Sequence, residues 1–335
     1  MSGTQNSLRG TERVETGDGA QSMASDGIDR RNFLSCMAWA GTGLLWTMAG
    51  GVPTAKMFAA TPKAAEAQAK PDAGFSFAQI SDSHIGFNKA ANQDVAGTLR
   101  LALDKINRLP GTMDFMLHTG DITQSAKPAE FDTAQQILKG ARVGETFYVP
   151  GEHDVAVDDG VEYRARFAGK ALGTGWYSFT HKGVRFVGLN NCQQIEALGR
   201  LGTEQLSWLK GDLAWLSAST PIVIFAPNPL WMVYPECRWG TEDGAESLGY
   251  LKRFGSVTVL NGHIHQVVQK VEGNVSFHTA ASTAFPQPAP GHAASAGPMT
   301  VPAGKLKSVL GITEVKYVPR RGSLAIVDSS LEEMA

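Results

Sequence analysis

Hydrophobic positions after residue 70 follow two alternating patterns. Short apolar runs bounded by small or polar residues predict buried strands at residues 75–80, 114–118 and 146–149. Residues 94–109 and 129–138 lie between these runs and carry apolar side chains at helical spacing, which predicts two amphipathic helices. Strands that alternate with helices are typical of βαβ units, so we expect a partly parallel sheet with polar groups gathered at its strand ends.

The second half of the chain repeats this alternation and adds antiparallel pairs. Two sheets flanked by helices accommodate the order of elements, which places the chain in the α/β class. We predict a hairpin of residues 176–180 and 184–189, a helix at 203–216 with Thr203 as its N-cap, strands at 221–225 and 256–260, a helix at 245–254, and antiparallel pairs of 267–271 with 275–278 and of 311–317 with 324–327.

Residues 285–302 are rich in Pro, Ala and Gly and have no hydrophobic period. We interpret them as a long loop, which is either a flexible excursion or a flap over a cleft. The excursion is favoured, because His292 is the one side chain in this segment suited to chemistry.

The first 69 residues have a different character. Residues 1–28 are polar, and Arg30-Arg31 precedes the weakly apolar run 35–52, a pattern that predicts a twin-arginine export signal. A transmembrane anchor and a chance Arg pair before a core helix are the alternatives, but the run is short for a span and interrupted by Gly. Ala-x-Ala sites within residues 65–69 predict cleavage after Ala69, which separates a disordered n-region and signal peptide, 1–69, from a folded domain, 70–335.

Export by the twin-arginine machinery implies a periplasmic protein with no stable transmembrane segment after cleavage. The 335 residues are 43% hydrophobic, enough for a sizeable core. A formal net charge of -2 argues against binding nucleic acid by bulk electrostatics, so a small-molecule substrate is favoured.

Three cysteines are present, and Cys36 falls inside the predicted signal. Cys192 and Cys237 form an even pair, which could bridge in an oxidising compartment. Two inert buried thiols, or a Cys237 close to a metal cleft, are the alternatives that the spacing leaves open.

Four polar clusters each follow a predicted strand: Asp82-Ser83-His84, Gly120-Asp121, Gly151-Glu152-His153-Asp154 and Gly262-His263-Ile264-His265. Strand ends at one edge of a sheet bring such side chains together. Carboxylate oxygens and imidazole nitrogens are common ligands of zinc, manganese and iron. Each cluster alone is a weak signal, but the set in this order predicts a dispersed metal site.

These clusters resemble the pattern of the calcineurin-like metallophosphoesterases: Asp-x-His, Gly-Asp, Gly-Asn-His-Asp or Glu, a His two residues before a Pro, and Gly-His-x-His. The resemblance covers nearly the whole of residues 70–335 and implies a four-layer α-β-β-α sandwich of two mixed sheets. The lead-in Gln79-Ile80-Ser81-Asp82 is similar to the cyclic-nucleotide phosphodiesterase branch.

The resemblance also implies a chemistry, the hydrolysis of a phosphomonoester or phosphodiester by a metal-bound hydroxide. Two divalent or mixed-valence ions (Fe, Mn or Zn) are implied, the first held by Asp82, His84, Asp121 and His265, the second by Asp121, Glu152 and His263. By the same resemblance His153 protonates the leaving group and Asp154 orients His153.

Two positions depart from the family pattern. Glu152 replaces an Asn, which adds a negative charge and removes an amide donor, so we expect weaker attraction for a phosphate dianion. Pro227 replaces the His two residues before Pro229 and has no ligand side chain. Asn228 or water would have to fill the place. We therefore expect a well-formed first metal site and a weak second one, and the alternative function is a catalytically weakened or inactive metal-binding protein.

Several further side chains have a functional and a plain structural interpretation. His118 and His278 either support the metal cleft or are core histidines, and the core interpretation is favoured for both. Three aromatic residues after the Pro227 position are candidates for a substrate wall, and Arg238 is a candidate phosphate clamp. The aromatic residues are Trp231, Tyr234 and Trp239.

Overall fold

The computed structural model describes residues 74–169, 171–192, 195, 197–319 and 324–332, together with the backbone of residues 44–49 and 52–57. The chain divides into two units, Met1–Ala69 and Lys70–Ala335. In the first unit, strands β1 (Leu44–Ala49) and β2 (Val52–Met57) pair antiparallel. The Arg pair and the Ala-x-Ala sites of the predicted export signal lie outside the described residues.

Within the described part of the second unit, two mixed sheets alternate with helices. The strands are β3 (Phe75–Ile80), β4 (Phe115–His118), β5 (Thr146–Tyr148), β6 (Tyr177–His181), β7 (Val184–Gly188), β8 (Ile222–Ala226), β9 (Val257–Asn261), β10 (Val268–Glu272), β11 (Val275–Thr279), β12 (Gly311–Tyr317) and β13 (Leu324–Ser330). The helices are α1 (Val95–Arg108), α2 (Pro128–Leu138), α3 (Glu152–Val155), α4 (Val161–Phe167), α5 (Gly202–Ala214), α6 (Gly244–Leu251) and α7 (Leu306–Val309), with a 3₁₀ turn at Pro235–Cys237.

One sheet has the strand order β13-β12-β3-β4-β5 and the other the order β10-β11-β9-β8-β7-β6. The pairs β3/β4, β4/β5, β7/β8, β8/β9 and β9/β11 are parallel, and the remaining pairs are antiparallel. The parallel crossovers place the ends of β3, β4 and β5 at one edge of the first sheet.

Three apolar cores separate four layers. Between the sheets, aromatic rings from both sides meet, with Phe77 centred 4.7 Å from Phe115 and 5.5 Å from Phe186. The next residues along β3 and β7 face outwards: Ala78 packs in the core with the leucines of α1, and Val187 in the core with those of α5. This alternation follows the two-residue period of strands and confirms the predicted α-β-β-α sandwich.

The predicted strands and long helices all form, with ends shifted by at most three residues. Thr203 is not the N-cap of α5, because the helix begins one residue earlier. The N–H groups of Leu201 and Gly202 donate to the carboxylate of Asp243 at 2.9 and 2.8 Å, so a side chain from before α6 caps the helix. The short helices α3 and α4 were not predicted, because segments of four to seven residues are too short to show the hydrophobic period of a helix.

Of the alternatives for Cys192 and Cys237, the disulfide is not formed. Cys192 and Cys237 are both free thiols, and Cys192 is buried with its sulfur 2.9 Å from the carbonyl oxygen of Pro150. No helix in the described part of the chain combines the length and apolar character that crossing a membrane needs.

Candidate active site

Three candidate ligands converge at the ends of β3 and β9. Asp82 and His84 follow β3, His265 follows β9, and one ligand atom from each lies within 4.8 Å of the other two. The Nε2 atoms of His84 and His265 are 3.1 Å apart, and His265 Nε2 is 3.6 Å from Asp82 Oδ1. All three side chains are buried. The structure thus brings together three of the four ligands predicted for the first metal.

Asp121, the fourth predicted ligand, follows β4 and reaches the same group. Its Oδ2 lies 3.9 Å from His84 Nε2, while its Oδ1 accepts the backbone N–H of His153 at 2.9 Å. A Cβ atom at Gly151 would lie only 2.1 Å from Asp121 Oδ1, so glycine is required there. Asp121 therefore stands between the first ligand group and the turn that carries Glu152.

The candidate ligands are held in an unusual backbone conformation. Among the described non-glycine residues, nine have positive φ, and five of these are candidate ligands. The left-handed region is sterically strained for a non-glycine residue. Residues in this conformation therefore cluster at functional sites. The five are Asp82 (54°), His84 (42°), Asp121 (51°), His263 (68°) and His265 (56°).

The electrostatics of the group suit a bound cation. Burial, assisted by the Asp121 charge, raises the pKa of Asp82 well above its ordinary value. Burial lowers the pKa of His265 to about 3 and of His263 to about 4, and burial with the nearby His153 and His265 lowers the pKa of His84 well below its ordinary value. The three imidazoles are therefore neutral at pH 7 and offer lone pairs.

One contact identifies which His265 nitrogen carries the proton. Nδ1 lies 2.6 Å from the carbonyl oxygen of Phe285, which can only accept, so Nδ1 donates and Nε2 keeps its lone pair. That lone pair belongs to the atom nearest Asp82 and His84. Buried carboxylates with neutral imidazoles form a donor set that fits Zn, Mn or Fe.

The residues predicted for a second metal form a less complete group. Glu152 and His263 are buried and line the same cavity as Asp121. Pro227 occupies the place of the expected His. It lies close to Gly120, since a Cβ added to Gly120 would be 2.9 Å from the Cβ of Pro227.

Asn228 is not brought to the cavity that these residues line. Its N–H donates to Asn191 Oδ1 at 3.1 Å, and its carbonyl accepts from the side-chain amides of Asn191 and Asn261 at 2.9 and 2.8 Å. These bonds fix the loop after β8 with Asn228 towards Asn191. Neither Pro227 nor Asn228 therefore adds a fourth ligand to the second group from the cavity lining.

Asp154 has a different contact from the one expected. Its buried carboxylate accepts the N–H groups of Ile122, Thr123 and Gly151 at 3.0, 2.8 and 2.9 Å and the Thr123 hydroxyl at 2.8 Å. These hydrogen bonds of the Asp154 carboxylate go to loop groups and not to the His153 ring. Three backbone donors surround the carboxylate, so Asp154 ties the loop of Asp121 to the turn at Gly151.

His153 is oriented by a backbone group instead. Its Nδ1 lies 2.8 Å from the carbonyl oxygen of Gln124, so Nδ1 carries the proton and Nε2 is available. The ring packs edge-on at 4.8 Å from the ring of His84 and lines the cavity. His153 is therefore placed beside the metal ligands with one nitrogen free to exchange a proton.

The two uncertain histidines are buried outside the cavity lining. His118 Nε2 lies 2.5 Å from the Ser83 hydroxyl, and burial lowers its pKa to about 3, so it supports the loop between Asp82 and His84 from behind. His278 Nε2 lies 3.0 Å from Asp328 Oδ2, which joins the two sheets. The core interpretation is confirmed for His278.

The cavity has a volume of about 370 Å³, and its lining shows what the sequence missed. Of the three expected aromatic residues, Trp239 lines it, whereas Trp231 packs on Phe277 with ring centres 4.6 Å apart. Cys237 and Arg238 line it as well. Gln124, Phe285 and Gln287 were not predicted.

Comparison with known proteins identifies one family and two relatives that are named as phosphodiesterases. The family model described as calcineurin-like phosphoesterase matches residues 75–267. A 3',5'-cyclic-nucleotide phosphodiesterase from Nostoc sp. is 25% identical over 223 residues, which span 63% of this chain and 79% of that protein. A probable glycerophosphodiester phosphodiesterase from Arcobacter nitrofigilis is 26% identical over 219 residues, 61% of this chain and 77% of that protein.

Two solved structures share the fold. A dimetal phosphatase from Danio rerio matches with a TM-score of 0.51 and 17% identity, over 78% of this chain and 100% of that one. A purple acid phosphatase from yellow lupin (Lupinus luteus) matches with a TM-score of 0.56 and 14% identity, over 78% of this chain and 52% of that one. At these identities the likeness concerns the fold alone.

Proposed function

Because this chain belongs to the calcineurin-like phosphoesterase family and is a hydrolase acting on phosphate esters, we propose that its preferred substrates are phosphodiesters. The observation that carries the proposal is the buried Glu152 beside Asp121 in the cavity. A diester carries one negative charge at pH 7, whereas a monoester carries between one and two because its second pKa is about 6. The negative charge of Glu152 therefore repels a monoester more strongly than a diester.

The names of the relatives agree with this choice. One is a cyclic-nucleotide phosphodiesterase and the other a probable glycerophosphodiester phosphodiesterase, and both names describe phosphodiester hydrolysis.

We infer that Asp82, His84, Asp121 and His265 hold one metal and that Asp121, Glu152 and His263 contribute to a weaker second site. Metals at such sites supply Lewis-acid activation of water and of the phosphoryl oxygens. The ligands are buried, with Asp82 fully excluded from solvent and His84 and His265 each 2% exposed, which strengthens their electrostatic interaction with a bound cation.

His153 is the group proposed to protonate the leaving alcohol. Gln124 holds Nδ1 with its carbonyl, so proton transfer takes place at Nε2. Asp154 acts as a positioning residue, because it fixes the two loops that carry Asp121 and His153.

The test compares two aryl esters with a common leaving group, bis(p-nitrophenyl) phosphate and p-nitrophenyl phosphate, using the protein reconstituted with Mn²⁺. We expect a higher kcat/KM for the diester, a His153→Ala variant that loses at least about 100-fold in kcat, and a Glu152→Asn variant in which the ratio moves towards the monoester. A monoester preference that Glu152→Asn leaves unchanged would overturn the proposal.

Pro227 favours a second candidate function, a metal-binding protein that turns over slowly or not at all. Pro227 has no ligand side chain, and Asn228 next to it does not line the cavity. Absence of His153-dependent turnover with Mn²⁺, Zn²⁺ or Fe²⁺ would select this function. A Pro227→His variant that gains activity would instead show that the missing ligand limits catalysis.

We further propose that the protein is exported to the periplasm by the twin-arginine machinery, on the sequence evidence of Arg30-Arg31 and the Ala-x-Ala sites. Cell fractionation of the wild type and an Arg30→Lys/Arg31→Lys variant tests this. We expect periplasmic protein beginning at Lys70 in the wild type and retention of the variant. Equal distribution of the two would contradict export by this route.

A further inference from the structure

One side of the cavity is formed by a single loop, residues 285–298, which we call the wall loop. It contributes Phe285, Gln287 and residues 295–298 to the lining. The composition of this segment favoured a flexible excursion, but the structure places it against the candidate ligands. The wall loop is therefore part of the surface that a substrate meets.

The side chain of Gln287 holds the two ends of the wall loop together. Its Nε2 donates to the carbonyl oxygen of His263 at 3.0 Å, and its Oε1 accepts the N–H of Gly297 at 3.2 Å. One carboxamide thus links a candidate metal ligand to the far end of the loop. Removing the side chain breaks both bonds at once.

The beginning of the wall loop rests on two other ligands. His265 donates to the Phe285 carbonyl, and the Phe285 ring is centred 4.7 Å from the rings of both His84 and His265. The same ring lies 4.3 Å from that of Phe87. The position of the wall loop is therefore determined by the backbone and rings of the metal-binding residues.

The surface that the wall loop offers is small and uncharged, consisting of Ser295, Ala296, Gly297 and Pro298. The charged side chains lie in other parts of the lining, where the carboxylates include Asp121 and Glu152 and the cations are Lys89 and Arg238. A second anionic group on a substrate would find no partner on the wall loop. At about 370 Å³ the cavity is also near the lower end of ligand sites, about 300–1,000 Å³.

A phosphodiester has two alcohol groups, one that leaves and one that stays on the phosphate. We propose that the wall loop, held by Gln287, selects the retained alcohol and accepts alcohols that are small and uncharged. Gln287 is a positioning residue and Ala296 a residue that determines specificity. The proposal rests on the proposed function, because it names the substrate class of the same site.

The test uses three diesters with one leaving group and different retained alcohols: the methyl, carboxymethyl and p-nitrophenyl esters of p-nitrophenyl phosphate. Since the leaving group is constant, a change in the ratio of kcat/KM between wild type and variant reports how the protein treats the retained alcohol. We expect the carboxymethyl ester to be disfavoured against the methyl ester by about tenfold. A carboxymethyl ester used as well as the methyl ester would contradict the charge part of the proposal.

Two tryptophan variants form a matched pair. Ala296 lines the cavity, whereas Ala293, three residues earlier and also exposed, does not. We expect Ala296→Trp to lower kcat/KM for the bulky p-nitrophenyl ester relative to the methyl ester by about tenfold or more, and Ala293→Trp to leave that ratio at the wild-type value. Wild-type ratios in both variants would overturn the proposal.

Gln287→Leu tests the positioning role. We expect its effect mainly in KM, with the selectivity between methyl and p-nitrophenyl esters reduced towards one. An equal loss of kcat on all three esters would indicate a merely structural residue.

A binding measurement separates the failure of this proposal from failure of the proposed function. If the wild type shows no His153-dependent turnover, the proposed function fails, and calorimetry with dimethyl and diphenyl phosphate then tests the wall loop. We expect weaker binding of diphenyl phosphate by Ala296→Trp but not by Ala293→Trp. Equal affinities in the two variants would overturn the selection of the alcohol.

Discussion

The carbonyl oxygen of Gln124 lies 2.8 Å from Nδ1 of His153, so a backbone group of the Asp121 loop sets the orientation of the proposed acid. A neutral carbonyl adds no charge to the imidazole, in contrast to a carboxylate partner. Substitution of the Gln124 side chain leaves this bond in place. The orientation of His153 therefore depends on the loop position, which Asp154 controls.

Asp154 is expected to give the metal-free protein a specific pH dependence of stability. Burial and the Asp121 charge raise its pKa from 3.8 to about 6. A folded-state pKa above the unfolded value means that protonation stabilises the fold, an effect fully present below about pH 4 and lost as the pH rises through about 6. Urea unfolding should show wild-type stability falling more steeply than that of Asp154→Asn in this window. Parallel pH profiles would contradict the assignment.

Gly151→Ala is expected to weaken metal binding. The new Cβ would lie 2.1 Å from both the backbone nitrogen and Oδ1 of Asp121, so the carboxylate must move. We expect about tenfold or greater loss of Mn²⁺ affinity, measured by calorimetry. Gly211→Ala is the matched control, since nothing lies within 4 Å of its Cβ in helix α5. Wild-type affinity in Gly151→Ala would show that the turn does not position Asp121.

His278→Gln is expected to reduce stability without affecting catalysis. His278 joins the sheets through Asp328, at 3.0 Å, and does not line the cavity. Loss of this buried contact should lower the free energy of unfolding by about 1–3 kcal/mol, with kcat unchanged. Reduced kcat at wild-type stability would instead place His278 in the active site.

Both cysteines of the folded domain are expected to stay reduced after purification without reductant. Cys192 and Cys237 are free in the structure, and Cys192 is buried. Thiol titration of the denatured protein spanning residues 70–335 should therefore find both thiols. Their absence, restored by a reductant, would demonstrate a disulfide.

Much of the fold was predictable because its signals are local. The apolar run of β3 and the period of α1 lie within single segments, and the structure confirms both. Asp82, His84, Asp121 and His265 were recognisable because each follows a strand, and strand ends meet at one edge.

The features that were not predictable depend on contacts between distant segments. Asp243 caps α5 from 41 residues further along the chain, and Gln287 reaches the carbonyl of His263 from 24 residues away. Polar residues of these kinds are common in loops, so nothing in their local sequence identifies such partners. The partners of Asp154 were not predictable for the same reason, because Ile122 and Thr123 lie in another loop.

The central claim is that the chain builds one complete metal site and one incomplete site. Calorimetric titration of Mn²⁺ into the metal-free protein tests it most directly. We predict two unequal affinities, of which the weaker rises in Pro227→His while the stronger is lost in Asp82→Asn. Two equal tight sites in the wild type, unaffected by Pro227→His, would contradict the claim.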